Sequence, residues 1–503
     1  MTEPQQQYEE HLPDIDDLPM FQSADAGLDI PPVLPVAPHP EPTTPVEQPQ
    51  LDPEPNRPTS TPAPREDDAF WAEVAELRGI LADRMTKLAL PQGSEDERIA
   101  GMGVITEVVR DHADGLLRTG MSQWDEGAQR DLRDALYAGH FGLGRLQPYV
   151  DDETVENIEV YSHTKVALIH TDGAVEWVGP IARSAEELRE YIASLATRHG
   201  HAFTPARPQL FMSLPGKVRL TAAGFGHTPD DETHVFLRMQ RLRDVNLDRL
   251  VAVAEIDTVL RDFLSAAVAA NRTIVVSGQA QGSGKTTLVK ALGQAIPAYE
   301  HVVTIESDFE LYLPESRPRT HQLRALPPAG EDLTVIPTTG DLTGLSLRAN
   351  ADRVIVGEVR TAEEIDALVR AMQGGNGTLS TLHADSAADV IEVLTTLVGT
   401  STGSVPFARR QVAQMVHLIV YLGVDIDPST GRRYRYVREV LEVEPGENGE
   451  PATQQIFAPG PDRRGVPTGI ISDKLRDHLA RVGYSGEDLL AYRGSGTWQE
   501  VKI

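Results

Sequence analysis

The sequence predicts an α/β protein with a parallel sheet, preceded by a smaller α+β domain. From about Glu255 onward, short β-branched runs alternate with segments of helical period, a pattern typical of parallel strands joined by crossover helices. A glycine-rich turn ending in Gly-Lys-Thr-Thr joins one such strand to the next helix. Residues 145–245 instead alternate like hairpin strands around one amphipathic helix. We therefore expect two folded domains, with the chemistry at the glycine-rich turn.

Composition restricts the possible functions. The 503 residues are enough for two or three domains. A net charge of −29 argues against a general nucleic-acid binder, although it leaves a local basic channel open. There is no cysteine, which excludes disulfides and thiolate chemistry and is compatible with a reducing cytoplasm. The acidic first thirty residues predict no signal peptide, and no run of 18 apolar residues occurs, so we expect any membrane association to be peripheral.

The N-terminal tail differs from the rest of the chain. Residues 1–64 hold 16 of the 36 prolines and 12 acidic residues against a single basic one, Arg57. Such a segment cannot bury enough apolar surface to offset its ordering entropy, so we predict disorder. A solvated tail is favoured over a segment that recruits a partner.

Five regions follow from these shifts in composition and period. Apolar residues recur at helical spacing from Phe70 onward, and we expect them to pack a core rather than to dock a partner. The last region is rich in proline and glycine before a short helix at Ser472–Val482, and it carries no functional signal. The predicted regions are a disordered acidic tail (1–66), a helical extension (67–142), an α+β domain (143–245), an α/β domain that contains the glycine-rich turn (246–450) and a C-terminal extension (451–503).

The glycine-rich turn has the parts of a phosphate-binding loop. Thr273–Ser277 is the predicted strand and Lys285–Ala295 the predicted helix. Backbone amides and the positive end of the helix dipole favour phosphate there, Lys285 adds a charge, and the Thr286 hydroxyl suits the accompanying Mg²⁺. The predicted nucleotide-binding residues are Gly278, Gly282, Ser283, Gly284, Lys285, Thr286 and Thr287.

The spacing of this loop is unusual. Five residues separate Gly278 from Gly284, whereas the common motif has four. Either the loop carries one extra residue, or Gln279 takes the place of the first glycine. We predict that Gln279–Gln281 bulges outward while Gly282–Thr287 keeps the usual geometry.

Acidic residues end two further predicted strands. Glu358 ends the strand that begins at Arg353, and Glu306 ends the strand that begins at His301, with Glu310 in the turn after it. The carboxyl ends of parallel strands face the ligand crevice, where one acid can serve the metal and another the attacking water. We therefore assign Thr286 and Glu358 to Mg²⁺, while Glu358 and Glu306 both remain candidates for the water.

His383 follows the next predicted strand, Thr378–Leu382. At this position an imidazole can sense the γ-phosphate or relay its presence to the neighbouring helix. No second imidazole or cysteine lies nearby in the sequence, so we do not expect His383 to bind a metal.

These motifs resemble those of the type II/IV secretion ATPase superfamily. Ile355–Arg360 and Ser380–Ala384 look like its Walker B and histidine boxes, and Thr304–Glu306 with Glu310 looks like its aspartate box. The similarity covers about Leu143 to Val443 and is strongest to the CpaF-like branch, the tight-adherence (Flp) pilus assembly ATPases.

The resemblance implies a RecA-like motor domain in a homohexameric, Mg²⁺-dependent ATPase, with ATP between the two domains. It also implies a place on the cytoplasmic face of a bacterial inner membrane, reached through a platform protein of a pilus or secretion system. Because of the acidic net charge, we expect no nucleic-acid partner. In such proteins arginines complete the site. Arg219 and Arg238 fall where the family carries them, and Arg348, Arg353 and Arg360 flank Walker B, although ordinary ion pairs explain each arginine equally well.

The sequence also departs from the family. Besides the extra loop residue, Ser307 replaces a common acid and Asn350-Ala351 replaces a common Arg-Pro. No tetracysteine zinc module is present, unlike in some type II relatives. These departures bear on turnover more than on nucleotide binding. Two alternatives therefore stand beside the motor: a nucleic-acid translocase, and a catalytically weak, nucleotide-gated scaffold.

Overall fold

The computed structural model describes residues 68–91, 94–118, 125–241, 245–279, 282–325, 338–374, 377–429 and 431–498. The predicted disordered tail, residues 1–66, lies outside this set, as do Ala280 and Gln281 of the glycine-rich turn. No helix within the described ranges is long and apolar enough to cross a membrane.

The helical extension has an apolar core of its own. Its helices are α1 (Asp68–Leu88), α2 (Glu95–Arg118) and α3 (Glu126–Phe141). Leu81, Ile105 and Leu136 are fully buried among them. The Asp125 carboxylate accepts the Ala128 amide at 2.7 Å and so caps the start of α3. The apolar residues at helical spacing thus pack a core.

The next domain is a six-stranded antiparallel sheet in the order β3-β2-β1-β6-β5-β4. One face packs on a helix through Ile192, Leu220 and Leu237, while the other face carries Arg219 and Arg238. Its elements are α4 (Gln147–Asp151), β1 (Val155–Ser162), β2 (Lys165–His170), β3 (Val175–Val178), α5 (Ala185–Arg198), β4 (Gln209–Leu214), β5 (Val218–Ala223) and β6 (His234–Met239).

The second sheet has nine strands in the order β15-β14-β13-β12-β7-β11-β10-β8-β9. The six strands from β12 to β9 are parallel, and the other three are added antiparallel at one edge. The strands are β7 (Ile274–Gly278), β8 (Val302–Glu306), β9 (Thr320–Arg324), β10 (Arg353–Glu358), β11 (Leu379–Leu382), β12 (Leu418–Ile426), β13 (Arg433–Pro445), β14 (Pro451–Pro459) and β15 (Gly465–Pro467).

Helices cover both faces of this sheet, so its central strands are buried on both sides. Along β7, Ile274 and Val276 pack into one apolar core and Val275 into the other. The helices are α6 (Leu247–Ala252), α7 (Thr258–Ala269), α8 (Lys285–Ala295), α9 (Thr339–Arg348), α10 (Ala362–Gln373), α11 (Asp389–Thr402), α12 (Val405–Met415), α13 (Asp473–Ala480) and α14 (Glu487–Ala491). The predicted α/β class, with a largely parallel sheet beside a smaller α+β domain, is confirmed.

The C-terminal extension joins this sheet. Strands β14 and β15 continue it beyond β13, so the predicted boundary at residues 450 and 451 does not interrupt the sheet. Near the end of the described chain, the Thr497 amide donates to the Asp257 carboxylate at 2.7 Å. The extension is therefore fastened to the segment that leads into α7.

Candidate active site

The glycine-rich loop joins the end of β7 to the start of α8. Gly282 and Gly284 have φ of 79° and 96°, in the left-handed region that favours glycine. Gly284 is the residue just before α8, so the loop's last amides lie at the helix N-terminus. This is the geometry that binds phosphate oxygens. The outward bulge of Gln279–Gln281 stays a prediction, because Ala280 and Gln281 are not among the described residues.

The Lys285 side chain turns back over this loop. Its ammonium donates to Ser283 Oγ at 3.3 Å and to the Gly278 carbonyl at 3.5 Å. Burial lowers the Lys285 pKa, and the Glu358 carboxylate partly opposes that change. The ammonium therefore lies over the loop, where it is positioned to meet an anion bound there.

Thr286 is linked to the other domain through one carboxylate. The Thr286 hydroxyl donates to Glu310 Oε2 at 3.1 Å, and Glu310 Oε1 lies 3.3 Å from an Arg219 nitrogen. Arg219 also forms an ion pair with Asp308. A predicted metal ligand is thus connected to a predicted catalytic arginine by two contacts.

The domain of the six-stranded sheet, called the N-terminal domain below, meets the domain of the nine-stranded sheet at the turn after β8. Lys217 pairs with Glu315 in this turn, and its ammonium lies 4.6 Å from the centroid of the Tyr312 ring. Arg238 is the cross-strand neighbour of Arg219, and its charge contributes to lowering the Lys285 pKa. The structure therefore brings both predicted arginines to the loop side of this domain contact.

Glu306 braces the turn after β8. Its Oε1 accepts the amides of Glu310 and Leu311, both at 2.9 Å, and its Oε2 accepts Gln322 Nε2 at 2.7 Å. The side chain is buried, and burial raises its pKa in spite of these bonds. Both oxygens are occupied in this arrangement, which favours a positioning role. The assignment of Glu306 to the attacking water stays a prediction.

Glu358 and His383 face each other at the ends of β10 and β11. Glu358 Oε1 lies 3.1 Å from His383 Nε2, while Glu358 Oε2 pairs with Arg360. On its other side, His383 Nδ1 lies 3.4 Å from the Lys285 ammonium. Burial lowers the His383 pKa, and the nearby Lys285 charge lowers it further. A neutral imidazole therefore lies between a strand-end carboxylate and the loop lysine.

An oxygen-liganded cation fits this site. Glu358 Oε1 is buried and forms no well-aligned hydrogen bond, although His383 Nε2 lies 3.1 Å away, so it retains lone pairs for a cation. A carboxylate and a hydroxyl such as that of Thr286 suit Mg²⁺, which takes few protein ligands and keeps water and phosphate oxygens. Within the described residues, no group of three or more acidic, histidine or cysteine side chains is arranged to hold a metal. Thr286 and Glu358 are the side chains that would hold such a cation.

Arg353 lies at the opposite end of β10 from the loop. Its fully buried guanidinium bonds Glu300 at 2.5 Å and the Val268 carbonyl at 2.8 Å. It joins β10 to neighbouring segments and does not face the site. Arg348 is exposed at the end of α9, so of the three arginines near Walker B only Arg360 touches a site residue.

Sequence reasoning missed two residues next to the loop, Arg435 and Glu255. Arg435 Nε donates to the Gly282 carbonyl at 2.7 Å, and the buried Glu255 carboxyl lies against Gly284. The alternation of basic residues at Arg433 and Arg435 was a signal that one face of β13 is charged. For Glu255, nothing in the local sequence indicates this position.

Comparisons with known proteins agree with these motifs. Residues 218–445 match the family described as type II/IV secretion system protein. The chain is 33% identical over 182 residues to the type IV secretion system protein PtlH of Bordetella pertussis, covering 36% of this chain and 52% of the relative. It is 34% identical over 174 residues to the type IV secretion system protein VirB11 of Brucella suis, covering 34% and 48% respectively. The chain thus spans about half the length of the curated relatives it matches.

Solved structures of similar proteins were also found. The VirB11 ATPase of Brucella suis, in complex with sulphate, is 25% identical with a TM-score of 0.32, covering 60% of this chain and 93% of that one. The Legionella pneumophila ATPase DotB is 19% identical with a TM-score of 0.45, covering 59% and 79%.

Proposed function

We propose that this chain, which belongs to the type II/IV secretion ATPase superfamily through residues 218–445, hydrolyses ATP to drive a pilus-assembly or secretion machine. One observation carries the proposal. Lys285, Thr286, Glu358 and His383 converge at one edge of the parallel sheet, and Arg219 of the other domain reaches the same place through Glu310.

Phosphate binding would fall to the loop and its lysine. The amides of Gly282–Thr287 would donate to phosphate oxygens at the α8 N-terminus, and the Lys285 ammonium, which lies over the loop, would bind the β- and γ-phosphates. Bound Mg²⁺, held by Thr286 and Glu358, would supply charge neutralisation at these phosphates.

Glu358 is the better candidate to orient the attacking water. Its Oε1 lies at the carboxyl ends of the parallel strands and forms no well-aligned hydrogen bond, whereas both oxygens of Glu306 are already bonded. The adjacent His383 is neutral, so the charge of Glu358 is balanced by Arg360 alone among the contacts described above, and the imidazole can report a γ-phosphate to α11. Glu306 would act by holding Glu310 in place.

The two arginines couple the chemistry to movement. Arg219 and Arg238 lie on the N-terminal sheet, so a rotation of this domain would move their charges toward or away from the γ-phosphate. Arginines that neutralise the developing charge contribute on the order of 10³–10⁵ in rate in phosphoryl-transfer enzymes. Closure of this domain over ATP would be the working step.

The assembly and location are part of the same proposal. We propose a homohexamer of the CpaF-like branch at the cytoplasmic face of a bacterial inner membrane, attached through a platform protein. A net charge of −29 supports a protein partner over nucleic acid, and DNA-stimulated hydrolysis would instead favour a translocase.

Two substitutions test the proposal. Lys285→Ala removes the loop charge and should lower phosphate release by at least about a hundredfold in a folded protein. Glu363→Ala, in an exposed position at the start of α10, serves as the control. Unchanged turnover in Lys285→Ala would refute the motor. ATP binding without measurable turnover in the wild-type protein would instead support the nucleotide-gated scaffold.

A further inference from the structure

A second element supports the phosphate-binding loop from outside the parallel sheet. Strand β13 is added antiparallel next to β12, and its half-buried Arg435 reaches across to the loop. The Arg435 Nε donates to the Gly282 carbonyl at 2.7 Å, a short, charge-assisted bond. This hydrogen bond joins β13, a strand much later in the chain, to Gly282, the residue after Ala280 and Gln281.

A buried carboxyl lies beneath the same loop. A Cβ atom added to Gly284 would lie 2.9 Å from Glu255 Oε1 and 3.6 Å from the Arg435 Cδ, so both side chains press against this glycine. Glu255 is 6% exposed, and its Oε1 has no hydrogen-bond partner. An unpartnered buried oxygen is costly, which indicates that the position has a use besides packing.

Backbone bonds hold these two side chains in one unit. The Val437 amide donates to the Glu255 carbonyl at 2.9 Å, and the Glu255 amide donates to the Leu250 carbonyl at 2.9 Å. Two residues further on, Asp257 accepts the Thr497 amide. Strand β13 and the segment before α7 therefore meet beside Gly282–Gly284, and the C-terminal extension is bonded to the same segment at Asp257.

We propose that Arg435 and Glu255 are positioning residues that hold Gly282–Gly284 in the form that binds nucleotide phosphate. The need for them follows from the loop, which has one residue more than the common motif between Gly278 and Gly284 and therefore more conformations to exclude. Arg435 fixes the Gly282 carbonyl away from the phosphate, and the Glu255 carboxyl supports Gly284 from beside the Arg435 side chain. The inference rests on the proposed nucleotide site.

The test separates positioning from chemistry. Arg435→Met keeps the aliphatic stem and removes the donor, and a bond to a charged group is worth about tenfold to a hundredfold in an equilibrium constant. We expect the ATP dissociation constant and KM to rise by that factor while kcat changes less than about threefold. Arg435→Lys, which retains a donor, should recover part of the affinity. Arg438→Met is the matched control, since Arg438 lies on the same strand with an exposed side chain.

Hydrogen–deuterium exchange supplies a readout without nucleotide. In Arg435→Met the peptide covering Gly282–Leu288 should exchange faster, and in Arg438→Met it should not. Unchanged exchange and unchanged ATP affinity in folded Arg435→Met would overturn the proposal even if the wild-type protein hydrolyses ATP. Conversely, a wild-type protein that binds ATP without hydrolysing it would refute the motor. The effects of Arg435→Met on exchange and on ATP affinity would still test the positioning role.

A double-mutant cycle tests the pairing. If Glu255 acts through Arg435, the loss of ATP affinity caused by Arg435→Met should differ by at least about threefold between the wild-type and Glu255→Gln backgrounds. If Arg435→Met lowers the ATP affinity by the same factor in both backgrounds, the two residues act independently. That result would overturn the part of the proposal that concerns Glu255.

Discussion

The buried Glu255 carboxyl makes the stability of this protein depend on pH in a defined window. Burial raises the Glu255 pKa from 4.5 to about 7, and the Arg435 charge only partly opposes the effect. Below pH 4.5 the carboxyl is protonated in both the folded and the unfolded chain. Between pH 4.5 and about 7 the unfolded chain loses this proton while the folded chain keeps it. The free energy of unfolding therefore falls as the pH rises through this window.

The size of the effect follows from the two pKa values. Each unit of difference corresponds to 1.36 kcal/mol, so Glu255 should lower the free energy of unfolding by about 3 kcal/mol between its fully protonated state and pH 8. Glu255→Gln keeps the shape of the side chain and removes the titration. As the pH rises across that range, the free energy of unfolding of the variant should therefore increase by about 3 kcal/mol relative to that of the wild-type protein.

Urea unfolding followed by circular dichroism at pH 5, 6, 7 and 8 measures this difference. All other groups titrate in both proteins, so subtracting the two curves isolates Glu255. Glu363→Gln, which changes an exposed carboxyl, should run parallel to the wild-type protein. If Glu255→Gln also runs parallel, the carboxyl is ionised in the folded protein at pH 5 and the reasoning from burial is refuted.

Three further substitutions test other parts of the structure. Glu358→Gln should lower kcat by about a hundredfold or more, because the charge that orients the water is lost. The ATP dissociation constant should stay within about threefold, because the loop remains; phosphate release measures the first quantity and calorimetry the second. Arg219→Ala should lower kcat by about a thousandfold if Arg219 acts as the arginine that neutralises the transition state, and single-turnover measurements would exclude it by showing an unchanged chemical step. Arg353→Met leaves the Glu300 carboxylate buried and unpaired, so urea unfolding should show a loss of about 3–5 kcal/mol, whereas a change below about 1 kcal/mol would contradict that role.

Strands buried on both faces were predictable, and strands at the edges were not. The β-branched runs of β7, β8 and β10 identify them because both sides of each strand must be apolar. Strand β9 reads Thr-His-Gln-Leu-Arg and lies at an edge, so its sequence carries no such signal. Strand β14 is also largely exposed. Its place in the sheet depends on pairing with β13, which is a long-range contact.

Local motifs identified which residues reach the site but not what each one contacts. The proximity of Lys285, Glu358 and His383 could be predicted, because the carboxyl ends of parallel strands lie at the same edge of a sheet. The bracing by Glu306 could not be predicted, since it depends on the Gln322 amide of edge strand β9. The contact between Arg219 and Glu310 likewise depends on how two domains meet.

The same domain contact explains how nucleotide and domain position can influence each other. A threonine hydroxyl has one proton and two lone pairs, so Thr286 can donate to Glu310 and still offer oxygen to a cation. The Glu310 carboxylate thus orients the hydroxyl while its other oxygen holds Arg219 of the N-terminal domain. In the proposed function, a rotation that withdraws Arg219 would remove this cation from Glu310 and leave its bond to Thr286 in place. Closing and opening of the N-terminal domain would then change the electrostatics around the proposed metal ligand directly, through two contacts and without a longer pathway.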